Sequence, residues 1–265
     1  MSRSGYYAWE ARPKSAHAQR DEELLEKVKT IFGRWQGAYG APRVHAELRL
    51  EYGERVAKKR VARLMREAGL RARARGRRGG RKGAATAPYA DALERDFNVH
   101  EPDRVWVADV TQHPTDEGWF YLTVVLDAGD RNVVGWSMGE RATTELVVDA
   151  VALATGRRQP RAPVIHHSDR GATYTSLRFT RHLEASGLIG SMGRAGSPGD
   201  NALMESFFAT VQHEVLDTRR WRSRDELRSA LFIFLEITYN RERRHSSLGY
   251  LTPTEFNQQA RASIP

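Results

Sequence analysis

Residues 163–212 read PVIHHSDRGATYTSLRFTRHLEASGLIGSMGRAGSPGDNALMESFFATVQ, and this stretch decides the fold. The apolar run ending in Asp169 predicts a strand, TSLRFTRHLEAS a helix, and LIGSM a second strand. The loop GRAGSPG then leads into a helix capped by Asp200 that carries Glu205. Between the two acids lie 35 residues, enough for a helix, a strand and a loop to fold back and let the acids meet.

Upstream, VWVADVT carries Asp109 as PVIHHSD carries Asp169. FYLTVVLD (120–127) and NVVGWSM (132–138) follow it, separated by the turn-rich HPTDEG and AGDR, which predicts a three-stranded antiparallel meander. A helix over 143–154 comes next, with Leu146, Val147, Ala150 and Val151 on one side. The resulting order β-β-β-α-β-α-β-α is that of the ribonuclease H fold, an α/β (α+β) class with a mixed five-stranded sheet and helices on both faces. In that fold the first and fourth strands are neighbours, and here these are the strands of Asp109 and Asp169.

Strand alternation puts Val107, Asp109 and Thr111 on one face, and Ile165, His167 and Asp169 on one face of the neighbouring strand. Adjacent strands lie about 4.8 Å apart. Two carboxylates so close raise each other's pKa, a cost that a divalent cation removes. Two metals about 3.5–4 Å apart, held by Asp and Glu oxygens, stabilise the attacking and leaving oxygens of a phosphoryl displacement. Glu205 is the expected third ligand, its neighbours Leu203, Met204, Phe207 and Phe208 implying a largely buried helix. With no cysteine in the chain, disulfides, thiolate zinc sites and thiol nucleophiles are excluded, and all-oxygen ligation favours Mg²⁺, then Mn²⁺.

Of the histidines, His166 and His167 point to opposite faces, which argues against a zinc site made from this pair with His113. His167 shares the Asp169 side and is expected to position substrate, with a packed core histidine as the alternative. Arg170 reads as a phosphate contact or a turn arginine, and Asn201 as a residue that orients Glu205, touches DNA or caps the helix.

Charge is unevenly spread. Residues 1–88 hold 22 Lys and Arg against 9 Asp and Glu, while the rest is net acidic, so a nucleic-acid-facing segment is joined to a more neutral body. A first helix is expected from Asp21, a second from Pro42 to Leu50, and a third over Ala57–Ala68 ended by Gly69. Lys58, Lys59, Arg63 and Arg66 lie off the apolar stripe of the third and form a basic face, as in a helix-turn-helix reader of duplex DNA, although a helical hairpin packing on a partner fits too. RARARGRRGGRKG (71–83), with Arg71, Arg73, Arg75, Arg77 and Arg78, reads as a flexible linker that tracks phosphates. The expected division is a helical DNA-binding region over 1–70, a basic linker over 71–92, a catalytic core over 93–215 and a C-terminal helical extension over 216–265. Within the extension SRDE (223–226) is a capping box, and Tyr239, Asn240, Arg243 and His245 either touch DNA or pack on the core. No run of eighteen apolar residues exists and the N-terminus lacks a signal-peptide core, so the expected location is the cytoplasm, at the nucleoid.

YGAPRVHAEL, KRVARLMREAGL, VWVADVT, HHSDRGATYTS, SMGRAGSPGDNALMESFF and YNRERRHSSLGYLTPTEF stand in one order over residues 33–256. In this the chain resembles the catalytic, orfB-type subunit of bacterial insertion-sequence transposases of the IS-three group, relatives of retroviral integrases. The resemblance implies that Asp109, Asp169 and Glu205 bind two Mg²⁺ ions and cut DNA to a 3′-hydroxyl that attacks target DNA, with no covalent protein intermediate. It also implies a homo-oligomer acting on the element's ends and on target DNA, and an upstream orfA-type partner with a helix-turn-helix and a leucine zipper. Seven residues after the glutamate the family commonly has Lys or Arg; here Gln212 offers an amide that can still hydrogen-bond a phosphate. A catalytically silent DNA-binding regulator of the same fold is the alternative, and a ribonuclease H-like nuclease acting on RNA a third.

Overall fold

The computed structural model describes residues 3–4, 7, 14–73, 89, 99, 101–193 and 202–262. Asp200, Asn201 and the linker arginines Arg75, Arg77 and Arg78 lie outside them. The chain forms two compact units, Met1–Ala74 and Arg75–Pro265.

The first unit holds α1 (Ala16–Arg34), α2 (Ala41–Leu50) and α3 (Lys58–Glu67). Helix α1 begins earlier than expected, because the Ser15 hydroxyl caps it by accepting from the Ala18 N–H at 3.2 Å. Asp21 therefore sits inside the helix, where it takes Arg60 and Arg63 of α3, each at 2.6 Å. Val28, Ile31, Trp35, Tyr39, Val44, Leu48, Val61 and Met65 make the small core, with Trp35 stacked on Tyr39 at 4.1 Å. As expected, Pro42 opens α2 and Gly69, at φ +68°, follows α3 in the left-handed conformation.

The second unit is built on β1 (Val105–Thr115), β2 (Gly118–Asp127), β3 (Val133–Gly139), β4 (Ile165–Ser168) and β5 (Ile189–Met192), in the sheet order β3-β2-β1-β4-β5. The first three strands are an antiparallel meander, and β4 and β5 run parallel to β1. Strand β1 is longer than the sequence suggested. His113 and Pro114 continue the ladder to Thr115, opposite Gly118, and only Asp116 and Glu117 make the turn. A two-residue turn keeps the strands' twist, so the ladder can run to its end.

Two apolar layers cover the sheet, and β1 alternates between them. Val105 and Val107 face α6 (Ala202–Glu214) and the C-terminal helices, packing with Met204, Phe207, Val211, Trp221, Leu227, Leu231 and Leu235. Trp106 and Ala108 face α4 (Thr144–Arg158) and α5 (Leu177–Ala185), packing with Val147, Ala150, Phe179 and Leu183. Close approach of α4 requires a bare backbone at Gly135, where a Cβ would lie 2.1 Å from the Ala150 carbonyl oxygen.

The C-terminal segment belongs to this core. Helix α7 (Arg224–Ile233) continues as a π-helix over Phe234–Glu242, and α8 (Pro253–Ala262) follows. Ser223 accepts from the Glu226 N–H at 3.1 Å as the capping box requires, while Glu226 returns to the Arg222 N–H at 3.0 Å, one residue earlier than expected. The Asn240 side chain accepts from the Val133 N–H at 2.9 Å and donates to its carbonyl at 3.0 Å, standing in for a further strand at the start of β3. Arg243, 2% exposed, grips Glu214 of α6 through contacts of 2.8–3.1 Å. The choice between DNA and core is thus settled for Tyr239, Asn240, Arg243 and His245, which are all buried. No helix among the described residues is long and apolar enough to cross a membrane.

Candidate active site where β1 passes the end of β4

Register places the two aspartates. Strands β1 and β4 pair Val105 with Ile165, Trp106 with His166 and Val107 with His167; Asp109 and Asp169 each lie two residues further on. They are therefore level, on neighbouring strands and on the same face. Asp109 is buried, 7% exposed, and its Oδ1 accepts from the Val110 N–H at 2.8 Å. Asp169 is half-buried just past the end of β4, its Oδ1 accepting from the Gly171 N–H at 2.9 Å. A Cβ at Gly171 would stand 2.9 Å from that oxygen, so this turn has little room for a side chain.

Glu205 lies in the first turn of α6, which packs on β1 through Met204, Phe207 and Val211. Contrary to the expectation of a buried glutamate, it is exposed: position 205 falls between the inward positions 204 and 207, and only one side of the helix is covered. Among the described residues no group of three or more His, Asp or Glu side chains is gathered closely enough to hold a metal ion. The structure thus sets two of the three predicted carboxylates on neighbouring strands and leaves the third exposed in the first turn of α6. The donors are carboxylate oxygens only, a set that suits a hard divalent cation.

Other expectations change more. His167 is buried, 1% exposed, on β4 between β1 and the edge strand β5, with Nδ1 at 2.9 Å from the Ser191 hydroxyl of β5. Arg170 Nε donates to the Gly193 carbonyl at 2.7 Å, tying the ends of β4 and β5 together, and is half-buried. Gln212 donates to Asp217, so its amide serves a local contact at the end of α6. Arg63 leaves the basic face, since it pairs with both Asp21 and Glu67. Lys58, Lys59, Arg66 and Arg71 stay exposed, as does Arg73, whose backbone N–H holds Gly37 at 2.9 Å.

On the α4 and α5 side of the sheet lies a polar group that the sequence left without a role once a zinc site was set aside. His166 is fully buried against Phe179 at 5.5 Å and Tyr174 at 6.4 Å, with neither ring nitrogen bonded. Burial, aided by His167, pushes its pKa down to about 3. The unfolded chain takes up a proton below the ordinary 6.5 while the folded one refuses it until about 3, so stability falls as pH drops through that window. Relative to His166→Leu, the wild type is expected to lose about 1.4 kcal/mol per pH unit there, as read from urea midpoints at pH 7, 5 and 4.

Comparison with known proteins gives the lineage. Models of two integrase core domains match residues 99–198 and 187–253, and that of an HTH-like domain matches 19–78. The chain is 40% identical over 266 residues to the insertion element IS600 uncharacterized 31 kDa protein of Shigella sonnei, covering 98% of this chain and 96% of the relative. It is 38% identical over 268 residues to transposase InsF for insertion sequence IS3A of Escherichia coli strain K12, covering 98% and 91%. The chain belongs to the IS3 family of insertion-sequence transposases. The transposase shares its fold with a chain of the simian T-cell lymphotropic virus intasome in complex with PP2A regulatory subunit B56 gamma, at TM-score 0.50 and 12% identity, over 87% of this chain and 74% of that one. The resemblance drawn from the motifs, the ribonuclease H-like class and the helix-turn-helix reading of the first unit thereby hold.

Proposed function

We propose that the transposase cuts DNA at the ends of its insertion sequence and joins the freed 3′-hydroxyl to target DNA, by direct phosphoryl transfer. The observation that carries this reading is the placement of Asp109, midway along β1, beside Asp169 at the carboxyl end of the neighbouring β4 in an integrase-type sheet. Asp109 and Asp169 would hold Mg²⁺, with Glu205 reaching in from the first turn of α6; a pair of ions is the fuller form of the same reading, with Mn²⁺ as a substitute. Bound there, the cation supplies Lewis-acid stabilisation of the phosphoryl oxygens and of the leaving 3′-oxygen. The Val110 N–H holds the buried Asp109 carboxylate, and the Gly171 N–H holds that of Asp169.

In this reading residues 1–70 bind DNA through the exposed Lys58, Lys59 and Arg66, residues 71–92 link, 93–215 form the core, and 216–265 brace it from α6 to β3. The transposase acts as an oligomer in the cytoplasm, at the nucleoid, together with an upstream helix-turn-helix partner that reads the element's ends. The test is a plasmid carrying the element's ends, incubated with purified transposase with and without that partner, in Mg²⁺ or EDTA. Mg²⁺-dependent nicking at the ends and joined products are expected. DNA binding without cleavage under every condition would instead support the silent regulator.

A further inference from the structure

Tyr174 is buried, 1% exposed, and its hydroxyl has no hydrogen-bond partner. A buried hydroxyl without a partner is costly and calls for an explanation such as a catalytic or ion-linked role. Its ring cannot easily swing away to find one, being wedged edge-on to Phe179 at 5.3 Å and beside His166 at 6.4 Å. The turn after Asp169 fixes its backbone, with the Tyr174 N–H donating to the Gly171 carbonyl at 3.0 Å.

Gly171 links this ring to the site. The point where its Cβ would stand lies 2.9 Å from Asp169 Oδ1 and 3.7 Å from Tyr174 Cδ2, so carboxylate and ring border the same small space. A phenol keeps its proton at neutral pH, so the hydroxyl is a donor.

We propose that Tyr174 is a positioning residue, whose hydroxyl donates to the Asp169–Asp109 pair when those carboxylates turn to ligate a divalent cation. The present Gly171 N–H contact satisfies one Asp169 oxygen. Ligation by one oxygen leaves another lone pair to be oriented, and carboxylates that ligate metals are themselves held by hydrogen bonds from behind. The inference rests on the metal-dependent reading above.

Mn²⁺ alone, titrated against the full chain and followed by the loss of free-Mn²⁺ spin resonance, tests both and separates them. Saturable binding by the wild type and its loss in Asp169→Asn support the site; no binding by the wild type overturns both readings. Tyr174→Phe is expected to weaken Mn²⁺ binding roughly tenfold, with a thermal midpoint equal to or above that of the wild type, because the atom removed was unsatisfied. Binding by Tyr174→Phe that matches the wild type overturns the inference and leaves the site intact. A change in stability alone assigns the hydroxyl to packing and overturns it as well. If Tyr174→Phe does not fold, 3,5-difluorotyrosine placed at 174 keeps the hydroxyl and makes it a stronger donor: tighter Mn²⁺ binding supports the role, and unchanged binding refutes it.

Discussion

Asp169→Asn and Asp109→Asn are each expected to abolish end cleavage and strand joining, by about 10³-fold or more, which corresponds to ~4 kcal/mol of transition-state stabilisation. An amide keeps the shape of the side chain and removes the negative charge that binds a divalent cation, so the loss falls on chemistry. Folding should not suffer. Each carboxylate accepts a backbone N–H, which an amide oxygen can accept as well. The variants are therefore expected to melt near the wild-type temperature and to bind random duplex DNA as tightly. Glu205→Gln, on an exposed helix face, should lose activity with no change in melting. Cleavage assays in Mg²⁺ beside calorimetric melting check all three, and any variant that keeps more than about a tenth of the wild-type rate refutes its carboxylate's role.

The largest structural effect is expected from Arg243→Met. Arg243 and Glu214 have side-chain exposures of 2% and 6%, and their pairing ties the segment after the π-helix to the end of α6. Deleting the arginine leaves a buried, uncompensated carboxylate, a change that costs about 3–5 kcal/mol. For a unit of this size that corresponds to a fall in Tm of roughly 10 °C. Adding Glu214→Leu should restore most of the loss, since it removes the orphaned charge as well. Denaturant unfolding of both single variants and the double variant measures the coupling. If Arg243 served DNA rather than the core, the single variant would lose DNA affinity and keep its stability.

Much of the fold was legible because its signals are local. Val, Ile and Phe runs alternating with turn residues marked the strands, and the 3.6-residue spacing of Leu227, Leu231 and Leu235 marked the C-terminal helix. The order of the elements then constrained the sheet, since few topologies accommodate three hairpin-connected strands followed by two crossovers. Boundaries were less legible where a neighbour, and not the segment itself, sets the end. His113 and Pro114 look like turn residues but stay in β1 because β2 pairs with them as far as the two-residue turn. Asp21 looked like the start of a helix, whereas Ser15 starts it and Asp21 serves α3.

For the candidate site, the sequence by itself determined which residue types stand at which strand ends and in which order. That was enough to name Asp109, Asp169 and Glu205, the cation they suit, and the family, because chemistry and motif spacing are written along the chain. Only the tertiary structure decided what each side chain touches. It seated His167 on Ser191, Arg63 on Asp21, Gln212 on Asp217 and Arg243 on Glu214, each a pairing across at least five residues that no local pattern encodes. It also turned Glu205 outward and exposed a buried, unpaired hydroxyl at Tyr174 beside the aspartates. The reason is the same in each case: burial and partner choice depend on which surfaces meet, and these surfaces meet only when the three helices of the first unit, or the sheet and helical layers of the second, are assembled.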